Sequence, residues 1–110
     1  MKIKERDIQR QILEYLKYRK DIYFIRNNTG SFKIIRTNGS QGYCQNAQKG
    51  SPDIILCYKG IFIGLEIKTK IGKQSEYQKQ AELDIKKCGG KYFIIRCLED
   101  VVKLMEKQYN

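Results

Sequence analysis

The amino-acid sequence predicts a mixed fold of the α/β class, α+β in type: a mixed central β-sheet flanked by helices, in the order αβ(β)ββαβα. Three observations lead to this expectation. Apolar residues recur at helical spacing near the N-terminus. Two short apolar runs, 54–58 and 61–67, are separated by two residues. A well-punctuated helical segment then leads into a second apolar run and a last amphipathic segment.

Ile8, Ile12, Tyr15 and Leu16 place the first helix over residues 4–19. IYFIRN (22–27) reads as a strand, NNTG (27–30) as a turn and FKIIRT (32–37) as a further strand or an insertion. Residues 38–51 hold three glycines and few large apolar groups, and read as a long loop. The hairpin 54–67 follows. In SEYQKQAELDIKKCGG, Ser75 is a good N-cap with Gln78 three residues on, and Gly89-Gly90 can end the helix in the left-handed region. Tyr77, Ala81, Ile85 and Cys88 form its apolar stripe. KYFIIRC (91–97) is a central-strand candidate, and LEDVVKLMEKQ (98–108) the final helix.

Composition narrows the function. A chain of 110 residues suits one domain with a modest core, and 41% hydrophobic content argues against disorder. No run is long enough to span a bilayer, and MKIKERDIQRQ has no apolar signal region. Lys and Arg total 22 against 12 Asp and Glu, a formal charge of +10 that favours a polyanion such as nucleic acid. An anionic membrane surface, or solubility alone, is the plainer explanation of that charge, but the cations lack a concentrated amphipathic face. There is no histidine, and Cys44, Cys57, Cys88 and Cys97 lie far apart. A zinc site and a Ser-His or Cys-His mechanism are thereby disfavoured. Cys57 and Cys97, at strand ends, read as small core residues, and the thiols as reduced and cytosolic.

The stretch GSPDIILCYKGIFIGLEIKTK (50–70) places charges among strand residues, which is costly unless they are paired or bound to a metal. A two-residue turn at Lys59-Gly60 pairs Tyr58 with Ile61 and Ile55 with Gly64, and sets Asp53 opposite Glu66. Opposed residues share a face with Cβ atoms roughly 5 Å apart. Lys68 joins that face about 7 Å further along. Ile61, Ile63, Leu65 and Ile67 point the other way, and Gly64 leaves space beside Glu66. Two carboxylates so close repel, and a divalent cation between them would resolve the repulsion. A three-residue loop with a bulge would instead turn Asp53 away, leaving ordinary polar residues on a solvated face.

Pro52-Asp53 followed by Glu66-Ile67-Lys68 resembles the signature of the PD-(D/E)xK nuclease superfamily. A wider set is more specific: Glu5 and Gln9, RNNTG (26–30), KGSPDI (49–54), GLEIK (64–68) and GKQSEYQ (72–78). Together these resemble the VRR-NUC family of virus-type replication-repair nucleases. The resemblance spans nearly the whole chain, apart from residues 32–48. It implies a single nuclease domain over residues 1–110, with a restriction-endonuclease-like core. It also implies that Asp53, Glu66 and the backbone carbonyl of Ile67 bind Mg²⁺ or Mn²⁺, and that Lys68 positions or activates water. Gln78 would support the site from the second helix, and Glu5 would lie near the metal. By their positions alone, Glu5 is equally a first-turn glutamate favoured by the helix dipole, and Gln78 half of a capping box.

Arg26, Asn27, Asn28, Lys33, Arg36, Lys49, Lys70 and Lys73 flank these elements. Each is also an ordinary solvated side chain; as a group they suit a surface that reads phosphates with little regard to sequence. The expectation is a metal-dependent DNA endonuclease of a bacterial or phage-infected cytoplasm; the resemblance implies that it is structure-selective and Holliday-junction-resolvase-like, and that it serves DNA repair. Its alternatives are a flap- or single-strand-directed nuclease, a nucleic-acid-binding module without catalysis, and a basic adaptor for protein. The resemblance implies a homodimer. Its candidate contacts are residues 31–48 and the apolar side of the last helix (Val101, Val102, Leu104, Met105), a stripe that could equally cover the sheet.

Overall fold

The structure is a computed structural model that describes residues 3–27, 31–45 and 48–107, with backbone only at 31, 32, 44 and 45. Helix α1 (Glu5–Lys17) buries Ile8, Ile12 and Leu16, the stripe its periodicity predicts. Strand β1 (Ile22–Arg26) follows, and then the hairpin β2 (Ser31–Ile35) and β3 (Gln41–Gln45). Strands β4 (Ile54–Tyr58) and β5 (Ile61–Ile67) form the second hairpin. Helix α2 (Glu76–Lys87), strand β6 (Lys91–Ile95) and helix α3 (Leu98–Glu106) complete the order.

The main sheet runs β1-β4-β5-β6, with β1, β4 and β5 antiparallel in turn and β6 parallel to β5. Tyr58 pairs with Ile61 and Ile55 with Gly64, so the turn is the two-residue one expected. Lys59 takes φ +52° and Gly60 φ +80°, as a type I′ turn requires. Lysine occupies a position that favours asparagine, and its ammonium lies 5.3 Å from the Tyr58 ring centre.

One face of the sheet buries Ile54, Leu56, Tyr58, Ile63, Leu65, Ile67 and Ile95 against α1 and α3. Val101, Leu104 and Met105 belong to this core. The apolar side of the last helix therefore covers the sheet and is not free as a contact between copies. The parallel step from β5 to β6 needs a crossover, and α2 supplies it on the opposite face. None of its residues is fully buried: Ala81 and Ile85 are half-covered, while Tyr77 and Cys88 of the expected stripe are exposed.

Three further expectations are corrected. The loop expected over 38–51 contains β3, which pairs in register with β2, Lys33 opposite Tyr43. Its sequence QGYCQ offers too little apolar alternation to announce a strand, and the turn depends on Gly39 at φ +86° and the bonds from the Ser40 N–H and hydroxyl to Asn38 Oδ1. Strand β6 lies at the sheet's edge, not its centre; it is apolar on both sides because helices pack both of its faces. Cys57 and Cys97 are exposed free thiols, as is Cys88. Cys57 shares the non-core face with its partner Phe62, and Cys97 stands at the N-cap of α3. Among the described residues, no helix is long and apolar enough to cross a membrane.

The left-handed lysine gives a direct test. Lys59→Asn should stabilise the domain by about 1 kcal/mol by relieving the αL cost, read by urea unfolding. Ile63→Ala, in the core of the same hairpin, should cost about 2–5 kcal/mol. A neutral Ile63→Ala would mean that the hairpin is not the centre of the core.

Candidate active site

Strand alternation brings Asp53 and Glu66 to one end of the β4–β5 hairpin. Asp53 immediately precedes β4, and its Oδ2 accepts a 2.8 Å hydrogen bond from the Ile67 N–H across the hairpin. Glu66 lies inside β5 and is 2% exposed, the one charged side chain buried among the described residues. Lys68 is the second residue after Glu66 and half-buried, and its backbone N–H bonds Ile95 O at 2.9 Å. Gly64 is the space-maker on this face, but the space is already filled. A Cβ there would meet Pro52 Cγ at 2.5 Å, with Ile85 Cδ1 at 3.6 Å. The missing side chain thus lets Pro52 pack flat and hold Asp53 against Glu66.

Gln78 serves as both cap and site residue. Its backbone N–H donates to Ser75 Oγ and its Oε1 accepts from the Ser75 N–H, which closes the capping box. Its Nε2 donates to Glu66 Oε2 at 2.9 Å. One face of the amide thus fixes the start of α2, and the other fixes the buried carboxylate. Tyr92, which sequence reasoning missed, is buried on β6, and its hydroxyl donates to Glu66 Oε1 at 3.4 Å. That hydroxyl accepts from Gln74 Nε2, which also donates to Glu82 Oε1. No local sequence signal marks Tyr92: the β5–β6 register, which sets Gly64 beside it and so puts its ring on the Glu66 face, forms across the whole of α2.

The electrostatics of Glu66 follow from this enclosure. Burial raises its pKa first, and the adjacent Asp53 raises it further through its charge and a hydrogen bond; Lys68 and Tyr92 act in the opposite sense. The balance pushes Glu66 up to about 9 from its ordinary 4.5. Two carboxylates close enough to share a proton form the hard-oxygen pair that suits a divalent cation. Asp53, Glu66 and the Ile67 carbonyl are the donors this chain could offer. Glu5 does not join them: it is exposed in the first turn of α1, and no group of three acidic or soft ligands is gathered among the described residues.

The other residues expected at the site surround it unevenly. Asn27 Nδ2 donates inward to Ser51 Oγ at 2.9 Å and Pro52 O at 2.8 Å, and its N–H bonds Asp53 O at 2.8 Å. It therefore pins the segment that carries Asp53. Lys49 Nζ sits 4.1 Å from the Tyr77 ring centre, which ties that segment to α2. Arg26, Lys33 and Arg36 are exposed. Lys70 and Lys73 are exposed on the loop after Lys68, where Arg96 Nη1 gathers the carbonyls of Thr69, Lys70 and Gly72. Asn28 lies outside the described residues.

A mixed sheet centred on a hairpin, with helices on both faces and a buried carboxylate at the hairpin's open end, is a restriction-endonuclease-like core. Among solved structures the chain is similar to a VRR_NUC domain, at 19% identity and a TM-score of 0.61, over 96% of this chain and 97% of the other. The fold is that of a VRR_NUC domain, as the residue resemblance implied. No protein-family model and no curated protein matches the chain.

The raised pKa of Glu66 fixes a sign for stability. Between its ordinary 4.5 and about 9, the folded chain holds a proton that the unfolded chain has released. Stability from this group is therefore complete at low pH and falls as pH rises through that window. In chelator, thermal unfolding of the wild type should show that decline, and Glu66→Gln should flatten it and melt higher at alkaline pH. Relief of 1 kcal/mol would appear as roughly 4–8 °C in a domain near this size. An unchanged slope in Glu66→Gln would refute the buried-charge account.

Proposed function

We propose that the protein is a metal-dependent DNA endonuclease. The observation that carries this reading is the Asp53–Glu66 pair, held face to face at the end of the β4–β5 hairpin with Lys68 beside it. Asp53, Glu66 and the Ile67 carbonyl would hold Mg²⁺ or Mn²⁺, which when bound supplies Lewis-acid stabilisation of the phosphate and of the attacking water. Lys68 orients that water and stabilises charge on the phosphoryl oxygens. A water oxygen–phosphorus bond forms as the water gives up a proton to solvent, the in-line bond from phosphorus to a sugar oxygen breaks, and the departing oxygen takes a proton from solvent. Gln78 and Tyr92 do not touch the substrate on this reading; they keep Glu66 in one orientation. The charge of +10 supplies affinity for the backbone.

The substrate proposed is structured or branched DNA, with Holliday-junction resolution as the task, and two coordinated cuts call for a homodimer. Of the two contacts the sequence offered, the last helix is engaged in the core, and the hairpin over residues 31–45 carries Lys33 and Arg36 with no acidic residue to pair them across a two-fold axis. A panel of duplex, flap, single-stranded and four-way-junction DNAs, assayed with Mg²⁺ or Mn²⁺ and with chelator, tests substrate and metal together. Light scattering tests the dimer. A strict monomer that only nicks would remove junction resolution and leave the hydrolysis standing.

Asp53→Asn and Glu66→Gln should abolish cleavage while keeping DNA affinity, and Asp53→Asn, which removes a negative charge beside the phosphate, should increase it. Mg²⁺ should raise the melting temperature of the wild type and leave that of Asp53→Asn unmoved. Lys68→Ala should lose turnover by about 10²–10⁴-fold yet keep the metal-dependent shift. Near-normal cleavage by both carboxylate variants would sink the assignment.

A further inference from the structure

The β2–β3 hairpin stands apart from the rest of the fold. Its strands pack chiefly on each other, and a hairpin alone is marginal in water. The molecule measures 54 × 38 × 29 Å, with a radius of gyration of 15.7 Å. A compact chain of this length has about 13 Å. One face of the ribbon sets Lys33 opposite Tyr43 and Ile35 opposite Gln41. Tyr43 is 75% exposed and Ile35 74%. On the other face the Arg36 guanidinium lies over Gly42, in the space a side chain would fill, and Nη1 donates to Gln41 O at 3.1 Å.

Both ends of this arm are rooted at the carboxylate site. The chain leaves the body at Asn27, which is bonded to Ser51, Pro52 and Asp53. It returns at Lys49 and Gly50, which pack on Tyr77, the neighbour of Gln78. A polymer threaded through the site therefore meets the base of the arm. Charge selects the polymer. From residue 22 to residue 52 the sequence has no acidic residue, but it has Arg26, Lys33, Arg36 and Lys49. Two copies of a chain of charge +10 would repel through such arms, whereas a polyanion is drawn to them.

We propose that the arm is a second contact for duplex DNA, entering the major groove beside the site with Lys33 and Arg36 on phosphates and Tyr43 and Ile35 against base edges. It rests on the nuclease reading for its choice of partner. The major groove admits a two-stranded ribbon, and exposed apolar side chains find thymine methyl groups there. Five-residue strands reach about 17 Å, half of a duplex turn of about 34 Å.

The test is fluorescence anisotropy on a labelled duplex about three turns long, with full-length protein. The double variant Ile35→Ser/Tyr43→Ser should bind about tenfold more weakly, with its salt slope unchanged. Lys33→Ala/Arg36→Ala should lower the slope by about two, one for each phosphate contact. Wild type should shield guanine N7 from methylation, and the serine variant should not. Hydrolysis of bis(p-nitrophenyl) phosphate, too small to reach the arm, should be equal in wild type and the serine variant. Unchanged duplex affinity in both double variants overturns the proposal. So does a loss of mass by light scattering without loss of DNA affinity, which would make the arm a contact between copies. Absence of diester hydrolysis in the wild type would refute the nuclease reading alone, since the binding comparison decides the arm independently.

Discussion

A carboxylate inside a β-sheet is the constraint on which the rest of this molecule depends. Glu66 is 2% exposed, and such a group is costly unless each oxygen has a partner. Both do: Gln78 donates to one and Tyr92 to the other. Each partner imposes a demand of its own. Gln78 reaches Glu66 only if α2 starts where it does, and the capping box with Ser75 sets that start. Tyr92 reaches it only if β6 lies parallel to β5 in the register that sets Gly64 beside Tyr92. The crossover helix is thus fixed at one end by the cap and at the other by the parallel strand, and both fixtures meet at one side chain.

The second carboxylate arrives by a different route. Asp53 is held by the main chain: its side chain bonds the Ile67 N–H, and its carbonyl accepts from the Asn27 N–H. Gly64 lets Pro52 lie between strand and helix, so the position of Asp53 depends on an absent side chain as much as on any bond. Buried hydrogen-bonded networks of this kind rigidify when every member is satisfied. What stays unresolved in the network is the charge of Glu66, disfavoured first by burial and then by the neighbouring Asp53, and both appear in its raised pKa. On the proposed function, the contact with Asp53 is the one a cation would relieve.

What could be read from the sequence was local. Helical period revealed α1, the two-residue gap revealed the β4–β5 register, and Ser75 with Gln78 revealed the capping box, because each signal lies within one or two turns of chain. Tyr92 was invisible for the opposite reason: its place beside Glu66 is set by a parallel pairing across a whole helix. Asn27 reads from the sequence as one of the phosphate-contacting group, but its amide turns inward, which only the meeting of β1 with β4 could reveal. Strand β6 looked central because it is apolar on both faces, although edge strands covered by helices on both sides share that composition. Strand β3 gave no apolar signal, having no core to face.

The charge distribution ties fold to proposed task. Between Asp21 and Glu76 the only acidic residues are Asp53 and Glu66, and they stand among Arg26, Lys33, Arg36, Lys49, Lys59, Lys68, Lys70 and Lys73. A chain selected only for affinity to a polyanion would gain by losing the charge that the carboxylate pair carries, since it repels phosphate. A chain selected only for stability would also gain by losing Glu66, whose burial disfavours its charge. Neither demand explains why both carboxylates are retained in contact, and capping needs only Gln78. A cation placed between them and a phosphate satisfies all of these conditions at once: it neutralises the pair, makes the burial favourable and turns a repulsive patch into an attractive one. On the proposed function, the carboxylates would set when the basic surface holds DNA productively, and the surrounding lysines and arginines how often DNA arrives.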